Sequence, residues 1–113
     1  MNYIYKGNSF SIERYPRTEN KSLRAWSAAD EYILNYLTEE KISCTKTIIY
    51  NDRFGFLSTL LSEQNPTAII DFKSQEKAFQ INFSKNNSPS KIPTNNSIGK
   101  LKDSYELALI KIP

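Results

Sequence analysis

The sequence predicts an α/β fold in which helices cover a mainly parallel, doubly wound sheet. Two short apolar runs, Thr47–Tyr50 and Thr67–Phe72, have the character of buried strands, and a helical pattern separates them. Two such strands joined through a helix form a βαβ unit with parallel strands. With 113 residues, the chain is expected to form one domain.

The chain before this unit is predicted to begin with a flexible segment. We expect residues 1–9 to be flexible and the domain to occupy residues 10–113. Residues 10–15 alternate apolar and polar side chains, which predicts a half-buried strand. Pro16 ends it, because proline cannot donate a hydrogen bond to a neighbouring strand.

A helix is predicted next. Ser27 and Asp30 have the spacing of a capping box, in which a hydroxyl and a carboxylate satisfy the first backbone groups of a helix. One apolar stripe at helical spacing is expected to face the core, with two tyrosines flanking it. The stripe is Trp26, Ala29, Ile33 and Leu37, and the tyrosines are Tyr32 and Tyr36.

The elements after the central strand complete the predicted sheet. Helices are expected over residues 54–64 and 74–83, and the polar stretch 84–103 is expected to be a loop with a short strand near Lys91–Ile92. Leu107–Ile112 is predicted to be the last strand. No helical pattern follows it before Pro113, so we expect a sheet truncated from a longer protein.

Composition narrows the classes of function. Fifteen Lys and Arg against twelve Asp and Glu give a net charge of +3, which is compatible with an RNA partner. Cys44 is the single cysteine and there is no histidine, so internal disulfides, zinc clusters and histidine-dependent triads are excluded. No apolar run is long enough to span a membrane, and the N-terminus lacks a signal peptide. We therefore expect a cytoplasmic protein with no metal site.

The turn after the central strand is the candidate ligand site, because doubly wound sheets bind ligands at the carboxyl ends of their strands. A nucleotide-binding turn uses several glycines, whereas only Gly55 remains here, among bulky side chains. Asn51 and Asp52 could contact a ligand or could satisfy the turn and the helix N-terminus. Asp71, at the end of the second strand, could bond a ribose or simply cap the next helix. We expect the structural roles, which makes these four positions vestigial.

Five basic residues are candidate contacts to RNA phosphates, with Tyr15 and Trp26 available for stacking. The alternative is a solvated basic face, since Glu13 and Glu19 interrupt the cluster, and Trp26 and the two tyrosines are expected in the core. The candidates are Arg14, Arg17, Lys21, Arg24 and Arg53.

Several sequence blocks together resemble a known family, the N-terminal domain of bacterial large-subunit ribosomal RNA guanine-N2 methyltransferases. The resemblance extends from about Phe10 to the end of the chain. The blocks are Glu13–Arg17 (ERYPR), Leu23–Leu34 (LRAWSAADEYIL), Asn51–Ser58 (NDRFGFLS) and Leu109–Pro113 (LIKIP).

This resemblance implies a degenerate, methyltransferase-like Rossmann domain that helps to hold RNA. In the family, a C-terminal domain binds S-adenosylmethionine and carries an Asn-Pro-Pro-Phe motif, whereas this chain has Lys111-Ile112-Pro113 at the matching place. The implied function is therefore a non-catalytic domain that binds protein-free 23S rRNA and the catalytic half of its parent enzyme. The alternatives are a domain that itself binds S-adenosylmethionine, and a structural domain that packs against that half or self-associates.

Overall fold

The computed structural model of the chain describes residues 2–15, 25–64, 66–70, 73–86, 94–95 and 105–110. Six strands and three helices lie in these ranges, and a 3₁₀ turn follows the second helix. In chain order they are β1 (Asn2–Tyr5), β2 (Asn8–Ser11), α1 (Ala28–Glu39), β3 (Thr47–Tyr50), α2 (Phe56–Leu60), the 3₁₀ turn (Ser62–Gln64), β4 (Thr67–Ile69), α3 (Lys73–Lys85), β5 (Thr94–Asn95) and β6 (Leu107–Ile110).

Four of the strands form a parallel sheet in the order β5-β4-β3-β6. β3 pairs in parallel with β4 on one side and with β6 on the other. The predicted α/β class and the parallel β3–β4 pair are thus confirmed. Because the strands that follow β3 are placed on both of its sides, its carboxyl end lies where the winding reverses, the place where α/β sheets open a crevice.

The central strand is buried along most of its length. Thr47, Ile48 and Ile49 each expose 4% or less of their surface, and the Thr47 hydroxyl donates to the backbone oxygen of Cys44 at 2.6 Å. Such a strand suits a sheet covered on both faces. Cys44 is buried beside it, and burial raises the pKa of its thiol. This agrees with the packing role expected of an apolar, unreactive cysteine.

The N-terminal residues form a β-hairpin where the sequence predicted a loose segment and a later strand. β1 and β2 pair antiparallel from Asn2↔Ser11 to Tyr5↔Asn8, so the strand expected over residues 10–15 is shifted toward the N-terminus. Lys6 and Gly7 connect them with φ angles of 49° and 80°. Positive φ at both central residues is typical of a type I′ turn, which usually begins with Asn or Asp. Because Lys6 occupies that place, the sequence pattern did not predict the turn.

Contacts among three aromatic rings pack the hairpin against the helical layer. The Trp26 and Phe56 rings are stacked with centroids 5.1 Å apart, and the Tyr3 ring meets both edge-on at 5.6 and 5.2 Å. Trp26 and Phe56 are buried, as expected for Trp26, and belong to the main core. Edge-to-face and offset-stacked rings add about 0.5–1.5 kcal/mol per pair to the effect of burial. The hairpin is therefore part of the packed domain.

Helix α1 begins as predicted but presents a different face to the core. The backbone N–H of Ser27 donates to the Asp30 carboxylate at 2.8 Å, and the capping box is formed. The buried positions are Asp30, Leu34 and Leu37, whereas Ala29 is exposed and Ile33 is only partly buried. Trp26 and Leu37 of the predicted stripe are buried as expected, so the buried face is shifted from the predicted one toward Asp30 and Leu34.

The two tyrosines of α1 were wrongly expected in the core. The side chains of Tyr32 and Tyr36 are 70% and 49% exposed. Their rings stack on each other at 6.5 Å, so they cover part of their own apolar surface on the outer face of the helix. An i, i+4 aromatic pair can be stable without a core, because the pair supplies its own contact.

The later helices match the prediction in place but not in length. The helix expected over residues 54–64 is a five-residue α2 followed by the 3₁₀ turn, and α3 begins one residue earlier and ends two later than expected. The strand expected near Lys91–Ile92 and the chain end at Pro113 lie outside the described residues. Within the described ranges, no helix has the length and apolar character required to cross a lipid bilayer.

Replacing Tyr3 with alanine is expected to lower the free energy of unfolding by about 2–3 kcal/mol, because two aromatic contacts and part of the core are lost. Urea unfolding followed by Trp26 fluorescence, from the only tryptophan in the chain, measures the change. Ile4→Ala is the matched control, since Ile4 is in the same strand but 72% exposed. A Tyr3→Ala variant as stable as Ile4→Ala would contradict the packed hairpin.

Candidate functional site

The turn at the carboxyl end of β3 is held by a buried aspartate. Asp52 is 2% exposed, and its carboxylate accepts hydrogen bonds from the backbone N–H of Leu57 at 3.1 Å and of Ser58 at 2.7 Å. The Ser58 hydroxyl donates to the same carboxylate at 2.7 Å. The structural role predicted for Asp52 is thereby confirmed: it satisfies the first turn of α2.

Burial sets the charge behaviour of this aspartate. Loss of water raises the pKa of the Asp52 carboxyl, the hydrogen bonds from Ser58 and Leu57 oppose the rise, and the nearby charge of Asp30 adds to it. Buried carboxylates disfavour the ionised form unless enough donors face them. The donors that do so here belong to the helix that follows.

Gly55 serves backbone geometry and packing. It has a φ of 82°, in the left-handed region, and directly precedes α2. A Cβ atom at this position would lie 3.0 Å from the Phe79 ring of α3, tighter than most real Cβ contacts, so the ring would have to move. The glycine therefore permits both the turn and the approach of α3. Asn51, also at positive φ (61°), is exposed beside it.

Two of the predicted RNA contacts meet on one aromatic ring. The guanidinium carbon of Arg14 lies 4.9 Å from the centroid of the Phe54 ring, and that of Arg53 lies 5.1 Å from it. Phe54 is 6% exposed, so its ring is anchored in the core while Arg53 is exposed and Arg14 half-buried. Guanidinium groups over an aromatic face are held by cation–π attraction.

Helix α3 extends this basic surface. The Lys77 ammonium lies 5.8 Å from the centroid of the Tyr15 ring, next along the chain from Arg14. Lys77 was not among the predicted contacts, since nothing in its local pattern shows that α3 lies against residues 13–15. We call Arg14, Tyr15, Arg53 and Lys77 the basic surface; it lies beside the turn that follows β3.

The other predicted candidates lie outside the described residues, namely Arg17, Lys21 and Arg24 among the RNA contacts and Asp71 among the vestigial positions. Glu13, which appeared to interrupt the basic cluster, forms an ion pair with Lys85 of α3. Its charge is therefore matched locally. Within the described ranges, no group of three or more Asp, Glu and Cys side chains is placed to hold a metal ion.

A cleft of about 580 Å³ lies elsewhere, between the β1–β2 hairpin, residues 60–64 and the end of α3. Its lining includes Lys6, Glu63 and Asn86, and does not include Asn51, Asp52 or Gly55 among the described positions. The cleft is thus separate from the turn where an α/β sheet binds nucleotides.

Removing the Asp52 side chain is expected to destabilise the fold. Asp52→Ala leaves two buried backbone N–H groups of α2 without their acceptor, which costs about 1–2 kcal/mol near neutral pH. Since the folded-state pKa is raised, the contribution of Asp52 is largest below the unfolded pKa, about 3.9, and decreases as pH rises through the folded pKa. The difference in unfolding free energy from wild type should therefore shrink as pH rises above about 4 and through the folded-state pKa.

Chemical denaturation at several pH values measures this difference. Ser58→Ala, which removes only the hydroxyl donor to the same carboxylate, serves as a graded comparison and should cost less. Equal stability of wild type and Asp52→Ala would contradict the capping role.

Comparison with known proteins places the whole chain in one family. Residues 1–113 match the family described as the RLMG N-terminal domain. Proteins named ribosomal RNA large subunit methyltransferase G are similar to this chain: 34% identity over 93% of it in Pseudoalteromonas translucida, and 36% over 95% of it in Klebsiella pneumoniae. The chain spans about 28% of the length of each relative. It belongs to the RLMG N-terminal domain family.

Proposed function

We propose that this chain is the non-catalytic, RNA-binding N-terminal domain of an S-adenosylmethionine-dependent 23S rRNA guanine-N2 methyltransferase. The relatives carry the name of a large-subunit ribosomal RNA methyltransferase, and this chain corresponds to about 28% of their length. In this proposal the methyl donor binds in the remainder of the parent enzyme, and protein-free 23S rRNA is the shared substrate. A cytoplasmic location remains a prediction that accompanies it.

The basic surface is the observation that carries the RNA-binding role. The guanidinium groups of Arg14 and Arg53 both contact the Phe54 ring, which orients them beside the same turn. Guanidinium groups bind phosphate through two parallel hydrogen bonds, and this geometry favours arginine over lysine at such contacts. Tyr15 adds a ring on which an unpaired base could stack.

The proposed lack of cofactor chemistry rests on how the turn after β3 uses its own groups. In a nucleotide-binding turn, backbone N–H groups at the start of the helix face the ligand. Here the N–H groups of Leu57 and Ser58 bind the Asp52 carboxylate, and the space above Gly55 holds the Phe79 ring. The strand order is that of half a doubly wound sheet, which supports the further proposal of a degenerate Rossmann-like domain.

A structural role is the second candidate, favoured by the outer face of α1. The stacked Tyr32 and Tyr36 rings are largely exposed there, and aromatic side chains are enriched at protein interfaces. The same helix has acidic residues in its first turn and no basic residue in its last. This face suits packing against the rest of a longer parent enzyme, or self-association of the domain.

The double substitution Arg14→Ala/Arg53→Ala tests the proposed function. Affinity for protein-free 23S rRNA is expected to fall about tenfold at moderate salt. The slope of log affinity against log salt should decrease by about 1.4, because each phosphate neutralised on single strands contributes about 0.7. Fluorescence anisotropy with a labelled 23S rRNA transcript, repeated at several salt concentrations, measures both quantities.

A charge-matched control is available at the other end of the central strand. Lys41 and Lys46 are exposed, and Lys46 directly precedes β3, whereas Arg53 follows its carboxyl end. Lys41→Gln/Lys46→Gln removes the same charge and should leave the salt slope unchanged. If both double variants weaken binding equally, attraction is only a matter of net charge and the basic surface is not an RNA site.

Calorimetry with S-adenosylmethionine tests the alternative hypothesis that this domain itself binds the cofactor. We expect no binding heat from the 113-residue chain, because the amides of the turn are occupied by Asp52. Saturable heat that disappears in a variant of the turn would overturn the non-catalytic proposal.

A sedimentation experiment in the same buffer reports self-association, which the structural alternative requires if its partner is a second copy.

A further inference from the structure

We infer that Asn82 is the positioning residue of the basic surface: its buried side-chain amide fixes the backbone on which Arg14 and Arg53 are mounted. The inference rests on the proposed function and deepens it, because it names a residue that cannot touch RNA yet controls the groups that would. Asn82 was not among the predicted site residues.

The amide of Asn82 forms three hydrogen bonds to two separate segments. Its oxygen accepts from the backbone N–H of Glu13 at 2.9 Å. Its nitrogen donates to the backbone oxygen of Glu13 at 3.0 Å and to that of Phe54 at 2.8 Å. The side chain is fully buried within α3. An amide carries one strong acceptor group and two N–H donors, so no other common side chain supplies this combination with the same shape.

These contacts place the two arginines relative to each other. Glu13 directly precedes Arg14, and Phe54 directly follows Arg53, so Asn82 binds the backbone of the residue next to each arginine. The ring that both guanidinium groups contact belongs to the residue whose carbonyl Asn82 binds. Three chain segments distant in sequence thus meet at one amide, and the spacing of two phosphate-binding groups depends on it.

Asn86 makes a similar contact without reaching the basic surface, which gives a built-in comparison. Asn86 directly follows α3; its side-chain amide accepts from the N–H of Ser11 and donates to the oxygen of Ser11, both at 2.7 Å. Its nitrogen also lies 2.6 Å from the backbone oxygen of Asn82. Ser11 is three residues before Arg14. Within the described ranges, the Asn86 side chain forms no hydrogen bond with residues 52–55. Both asparagines therefore dock the same segment, but only Asn82 also binds the turn.

The closing experiment compares Asn82→Ala and Asn86→Ala in the 113-residue chain. Each removes one side-chain amide: Asn82 lies within α3, where alanine keeps the helix, and Asn86 directly follows its last residue. Two measurements are made: the NMR shifts of the Nε–H groups of Arg14 and Arg53, which the Phe54 ring current displaces, and the salt dependence of affinity for a labelled 23S rRNA transcript. If Asn82→Ala does not fold, Asn82→Ser, which retains a hydroxyl donor, takes its place.

We expect Asn82→Ala to move both arginine resonances toward unstructured values, reduce RNA affinity about fivefold and lower the salt slope by about 1. Asn86→Ala should leave the resonances and the slope unchanged, with less than a twofold change in affinity. General destabilisation would reduce the active fraction of both variants without changing the slope, so the slope separates positioning from stability.

The outcomes distinguish the two proposals. Unchanged arginine resonances in Asn82→Ala overturn the inference whatever the RNA result. A salt slope that falls in Arg14→Ala/Arg53→Ala but not in Asn82→Ala also overturns it and leaves the proposed function standing. If the double arginine variant binds RNA as wild type does, the proposed function fails. In the Arg14→Ala/Arg53→Ala background, Asn82→Ala should cause no additional loss of affinity, since its effect acts through these two arginines. A further loss equal to its effect in wild type would contradict the inference.

Discussion

The hydrogen bonds from the start of α2 to the Asp52 carboxylate are the constraint on which this domain depends. They bend the chain back after β3 and occupy the N–H groups of Leu57 and Ser58. With the turn closed in this way, Phe54 and Phe56 enter the core on either side of Gly55. A loop in the place where α/β sheets usually open toward a ligand is thereby held by contacts within the chain.

Two consequences follow for the surface around that turn. Since the Phe54 ring is anchored in the core, it presents a fixed aromatic face to Arg14 and Arg53. Since Gly55 lacks a side chain, Phe79 brings α3 close to the turn, and with it Asn82 and Lys77. Packing against the end of the strand thus brings Arg14, Arg53 and Lys77 onto two aromatic rings, and side chains held by such contacts lose less conformational entropy on binding than freely rotating ones do.

Ser11, at the end of the hairpin, and Glu13 are held by side chains from distant residues. Asn82 of α3 and Asn86, which follows α3, bind both backbone groups of Glu13 and Ser11 respectively, as a neighbouring strand would do in a sheet. Backbone groups need partners, and here side-chain amides supply them. The arrangement links the hairpin, the turn after β3 and α3 into one unit. The contacts of the Tyr3 ring with Trp26 and Phe56 attach the hairpin to the domain as well.

The sequence by itself determined the α/β class, the parallel β3–β4 unit, the capping box at Ser27 and the structural role of Asp52. These features depend on hydrophobic period, capping chemistry and turn composition, which are local. It could not show that Lys6-Gly7 closes a hairpin, that Tyr32 and Tyr36 face solvent, or that Asn82 binds Glu13 and Phe54. Only the tertiary structure decided those points, because each depends on which distant segments meet, and a buried asparagine has the same local pattern as an exposed one until its partners are known.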